Sequence, residues 1–101
     1  MQATRVKYTV QPSFVDTNVG NIRKVMDALK ANPIDGVAYM AFQLEDKQTF
    51  VHVVVARDAA AQSRISEMGE FKAFQAALKQ SRPVSPPSPQ TLEVVGTSFA
   101  V

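Results

Sequence analysis

Two short segments, VAYMAFQL at residues 37–44 and FVHVVVA at residues 50–56, are apolar at nearly every position, on both faces of any strand they form. The polar run between them is short enough for a hairpin, so they should lie side by side and antiparallel. A sheet built on such a pair needs cover on two sides. The rest of the chain supplies material for one. Residues 5–11 alternate strictly, with Val6, Tyr8 and Val10 against Arg5, Lys7, Thr9 and Gln11, the pattern of a strand with one buried face. After Pro12 and Ser13, the Asp16, Thr17, Asn18 cluster offers a helix cap, and Ile22, Val25, Met26 and Leu29 repeat at helical spacing, giving a first helix over residues 18–31. Asn32-Pro33 and Asp35-Gly36 end it and turn the chain into the apolar pair.

Beyond Arg57-Asp58 an alanine-rich passage reads as a loop with room for one helical turn. Phe71, Phe74 and Leu78 then place a second helix at residues 67–80. RPVSPPSPQ carries four prolines in nine residues and reads as a stiff extended connector to a last strand, TLEVVGTSFAV at residues 91–101, bulged at Gly96. The order βαββαβ predicts an α+β, ferredoxin-like fold: a four-stranded antiparallel sheet with two helices on one face. Val51, Val53 and Val55 make the uniform side suited to the helices, which turns Val37, Tyr39, Phe50, His52 and Val54 to the other. A second copy, with Val95 added to the seam, is the simplest cover for that face. On this reading the interface is of the obligate kind, on the order of 2,000 Å² or more, and Phe50→Asp or Val54→Asp dissociates or unfolds it.

The 101 residues, 46% of them hydrophobic, fit one domain over 1–101. A net charge of +2, spread without runs, gives no nucleic-acid footprint. The absence of cysteine excludes disulfides and thiolate chemistry. The start MQATRVKYTV has no secretory pattern and no apolar run approaches a membrane span, so a cytoplasmic chain with no membrane partner is the expectation.

PIDGVAYMAFQLEDKQTFVHVVV, EMGEFKAFQAALKQ and the closing VVGTSF together resemble the dimeric α/β-barrel superfamily, in particular small antibiotic biosynthesis monooxygenase-like proteins. The resemblance implies a homodimer whose paired sheets form a barrel with helices outside. Members include cofactor-free oxygenases, haem-degrading enzymes and isomerases. This chain departs from the oxygenases and haem-degrading members: it has no tryptophan, and Arg64, Ser66 and Glu67 stand where a histidine is often found. Neither Asn18 nor Asn21 aligns with the catalytic asparagine, and no catalytic role is carried over.

The residues themselves offer one titratable candidate, His52, suited to remove an acidic proton before oxygen attack or isomerisation. The alternative is a neutral imidazole with both nitrogens satisfied in a core. Tyr39 and Tyr8 are candidates to orient a phenolic ligand, with Phe50 and Met40 as apolar contacts, although each is also an ordinary core residue. One histidine and no cysteine make a metal site improbable, and no cofactor motif is present. An RNA-recognition module shares the βαββαβ order, but KQTFVHVVV lacks its glycine and second stacking ring. The expected function is therefore a homodimer that binds a small apolar or aromatic molecule, by oxygenation, isomerisation or carriage alone, with a purely structural dimer as the competing class.

Overall fold

The computed structural model describes residues 1–98. Its elements are β1 (Gln2–Thr9), a 3-10 turn (Pro12–Phe14), α1 (Val15–Ala31), β2 (Val37–Gln43), β3 (Thr49–Ala56), α2 (Ala59–Ser66), α3 (Gly69–Gln80) and β4 (Ser85–Leu92). The four strands form one antiparallel sheet in the order β2-β3-β1-β4. This is the ferredoxin-like arrangement, with three helices in place of the expected two. The additional one, α2, begins where the Asp58 carboxylate accepts the Ala61 backbone N–H at 2.8 Å. Its alanines favour helix, and Ala61 and Ile65 are buried. Gly36 makes the turn into β2 at φ 80°, where a Cβ would meet Arg57 at 3.0 Å.

β4 departs most from the sequence-based expectation. Three of the four prolines read as a connector, Pro86, Pro87 and Pro89, lie within the strand, which pairs Val6 with Pro89 and Lys7 with Ser88 before the register shifts between Lys7 and Thr9. Pro86 and Pro87 fall at that shift, opposite the single residue Tyr8, so a bulge absorbs them. An edge strand needs to donate only on its paired side, and prolines there block further strand addition. Residues 93–98, expected to continue a strand with a bulge at Gly96, have no regular structure, and residues 99–101 lie outside the described residues.

The sheet faces are the reverse of those expected from β3 alone. Val6 pairs with His52 and Tyr8 with Phe50, so these four share a face. Tyr8, Val10, Val25, Phe50, Phe74 and Leu78 form the core under the helices. β1 decides the matter, because Arg5 and Lys7 cannot go under a helical layer without uncompensated burial of charge. Once β1 is set, the register carries Phe50 and His52 inward. The face away from the helices carries Arg5 and Lys7 on one half. On its other half it carries Ala38, Met40, Phe42, Val51, Val53 and Val55, with Met40 61% and Phe42 47% exposed.

Candidate functional site

A cavity of about 440 Å³ lies between the sheet and the helices. Thr4, Val6, Tyr8, Tyr39 and His52 line it from the sheet, and α2, α3 and the prolines of β4 close the other walls. Its volume falls in the range of small-molecule sites, and its lining is mostly apolar. Tyr39, Tyr8 and His52 come from three neighbouring strands, where the register brings their side chains onto one face.

His52 is held from both sides. Its Nε2 lies 2.8 Å from the Tyr8 hydroxyl and its Nδ1 lies 2.7 Å from the Tyr39 hydroxyl. Asn18, fully buried on α1, donates from Nδ2 to the Tyr8 oxygen at 2.9 Å. The imidazole stacks on Phe74 with centroids 5.3 Å apart, and Phe71 meets Tyr39 edge-on at 6.3 Å. The result is a four-membered chain, Asn18–Tyr8–His52–Tyr39, of which the last three line one cavity. A neutral imidazole donates from one nitrogen and accepts at the other, and each tyrosine hydroxyl can do both. Protons can therefore shift along the chain with His52 passing between tautomers and no net charge appearing.

Electrostatics keep the chain neutral. Burial lowers the His52 pKa from 6.5 to about 4, and no carboxylate is among the causes of its shift. Burial pushes the Tyr8 phenol well above its usual value, the Asn18 hydrogen bond opposing it in part, and burial likewise raises Tyr39, with Tyr8 adding to the rise. The sign for stability follows directly. Between pH 6.5 and 4 the unfolded chain holds a proton on His52 that the folded chain does not, so folding stability falls as pH drops through that window. It is complete above pH 6.5 and loses up to about 3 kcal/mol by pH 4. Thermal unfolding across pH should show this limb in the wild type and lose it in His52→Phe.

The sequence candidates divide in two. His52, Tyr39 and Tyr8 converge on the cavity. Phe50 does not line it: the ring is 1% exposed and stacks on Tyr8 at 5.6 Å, a core role. Met40 lies on the opposite face of the sheet, 61% exposed, because residues 39 and 40 of one strand point to opposite faces. The residue missed from sequence is Asn18, which reads as a helix cap. The helix starts one turn earlier, through the Pro12 3-10 turn, and this carries Asn18 into the interior. Among the described residues no group of three or more His, Cys, Asp or Glu could hold a metal ion, and no helix is long and apolar enough to cross a membrane.

Fold and site define an α+β chain of ferredoxin-like topology with a ligand-sized pocket between sheet and helices. No family model and no curated protein matches the sequence. Solved structures do match in fold. A crystal structure of an antibiotic biosynthesis monooxygenase aligns with a TM-score of 0.80 at 15% identity, over 95% of this chain and 100% of that one. A candidate antibiotic biosynthesis monooxygenase from Bacteroides thetaiotaomicron gives 0.82 at 10% identity, over 99% and 94% of the two chains. A protein of unknown function from Nitrosomonas europaea gives 0.77 at 19% identity, again over 99% and 94%. At these identities the shared property is the fold.

Proposed function

We propose that the chain is a homodimeric, cofactor-independent enzyme that binds a small aromatic or apolar molecule and moves a proton on it, as a keto–enol isomerase does. The observation that carries this reading is the hydrogen-bonded chain Tyr8–His52–Tyr39, all three residues of which line the same cavity. An enolic ligand gives its O–H proton to the Tyr39 oxygen. Tyr39 passes its own proton to His52 Nδ1, His52 gives the Nε2 proton to Tyr8, and the Tyr8 proton goes to the ligand carbon. One O–H bond is lost and one C–H bond formed, and the enol π pair closes the carbonyl. Asn18 holds the Tyr8 oxygen in place throughout. Proton removal from a phenol or enol also suits the opening of an oxygenation, and two of the structural neighbours carry monooxygenase in their names.

The homodimer reading rests on the face opposite the helices. Its β2–β3 half is apolar, with Met40 and Phe42 among the exposed large hydrophobic side chains of the described residues. Val95, 98% exposed on the segment after β4, adds a further contact of the same kind. The partner face is thus Ala38, Met40, Phe42, Val51, Val53 and Val55, not the Tyr39–Phe50–Val54 set. A dry seam between copies would remove both halves from water.

The test is solvent exchange on an enolisable bicyclic ketone. In D2O, the protein should accelerate H/D exchange at C1 of 2-tetralone well above the buffer rate, by the ~10²–10⁴-fold that positioned acid–base groups supply. Binding without acceleration would identify a carrier. Oxygen uptake during the same reaction would assign the oxygenase branch.

A further inference from the structure

The chain Asn18–Tyr8–His52–Tyr39 has a direction, and its buried end sets it. Asn18 is fully buried, and its Nδ2, which can only donate, lies 2.9 Å from the Tyr8 oxygen. Tyr8 therefore accepts on that side. Its one proton has its acceptor on the other, at His52 Nε2, 2.8 Å away. Nε2 then carries no proton, and a neutral ring holds its proton on Nδ1, which donates to the Tyr39 oxygen at 2.7 Å. The Tyr39 proton is left over, on a residue that lines the cavity and is only partly buried.

The reverse polarity leaves a worse remainder. With the proton on Nε2, Tyr8 accepts from both neighbours, and its own proton has no acceptor among the described residues in a side chain only 2% exposed. Turning the Asn18 amide over would give that proton an acceptor, but it would put an unpartnered NH2 where the unpartnered Oδ1 now lies. Orphaned buried N–H groups are rarer than under-satisfied carbonyl oxygens. We propose that Asn18 is the positioning residue that fixes this polarity: its amide turns the Tyr8 proton onto Nε2, holds His52 as the Nδ1–H tautomer and leaves the Tyr39 hydroxyl as a hydrogen-bond donor. The resting site is thus set for an acceptor, the carbonyl oxygen of a ketone, and enters the reaction from the keto side. Tyr39 gives its proton to that oxygen, Nδ1 gives its proton to Tyr39, and Tyr8 gives its proton to Nε2. The Tyr8 oxygen takes the proton from the carbon beside the carbonyl. One C–H bond breaks and one O–H bond forms, the C–H pair becomes the enol double bond, and the carbonyl π pair holds the new O–H proton. The ring is left as Nε2–H, the form that fits the enol. This inference rests on the reading of the cavity as a proton-transfer site.

The tautomer is read from the side-chain 15N resonances of His52, the only histidine in the chain. Protonated and unprotonated nitrogens of a neutral ring resonate far apart, and Nε2 is recognised by its couplings to both carbon-bound ring protons. Wild type at pH 7 should carry its proton on Nδ1. In Asn18→Leu the Tyr8 hydroxyl is free to turn, and the two resonances should move toward each other as both tautomers become populated. An asparagine that only fills space would leave the tautomer unchanged. Should Asn18→Leu fail to fold, Asn18→Ala makes the same comparison. A neutral wild-type ring protonated on Nε2, or an Nδ1–H form that persists undiminished in the variant, overturns the role of Asn18 and leaves the relay standing. A ring charged at pH 7 overturns the relay and this inference with it.

Discussion

Phe50→Asp is expected to abolish folding, whereas Met40→Asp should leave a folded chain that no longer pairs. Phe50 is 1% exposed in the core against Tyr8, and its truncation alone removes roughly 3–5 kcal/mol. An unpaired carboxylate at the same point adds a desolvation cost that a domain with about 5–15 kcal/mol of total stability cannot absorb. Met40 is 61% exposed on the edge strand β2, where an aspartate stays hydrated in the monomer. In the proposed dimer the same charge would enter an apolar seam. Circular dichroism with light scattering distinguishes the two outcomes: loss of structure for Phe50→Asp, native spectrum at half the mass for Met40→Asp. A folded Phe50→Asp would contradict the face assignment, and a dimeric Met40→Asp would contradict the seam.

His52→Phe should bring ketone exchange down to the buffer rate while ligand binding persists. Phenylalanine keeps the stack on Phe74 and most of the volume, so the cavity survives. What is lost is the group that joins two hydroxyls 2.8 and 2.7 Å away. The Tyr39 hydroxyl then loses its partner and the Tyr8 hydroxyl keeps only the bond it accepts from Asn18, at a cost of about 1–3 kcal/mol for each group left unpaired where water cannot reach it. Tyr39→Phe should produce the same loss of exchange with a smaller fall in stability, because Tyr39 is only partly buried. Residual catalysis in both variants would mean that the proton travels by another route.

The order of four strands and two longer helices was legible because the signals are local: alternation in β1, helical spacing at Ile22, Val25, Met26 and Leu29, and the Phe71–Phe74–Leu78 stripe; α2 and the position of β4 were not. The candidates Tyr8, Tyr39 and His52 were legible as residue types. Their meeting was not, since it depends on a register that pairs Val6 with His52 and Tyr39 with Val54, and single-strand patterns carry no register. β3 misled for a related reason: three valines look more core-like than Phe50, His52 and Val54, yet the wide gap beneath a helical layer is filled by rings. The β4 prolines read as a linker because proline excludes a central strand, and only the sheet order shows that this strand is an edge.

The central claim is that His52 is a neutral relay between two hydroxyls, and its own ring nitrogens report this most directly. It is the only histidine in the chain, so its side-chain 15N resonances need no assignment by mutation. The expected result is a neutral imidazole from pH 7 down past pH 5, titrating near 4, with one nitrogen-bound proton in slow exchange with water. A histidine that titrates near 6.5 with rapidly exchanging ring protons would contradict the relay.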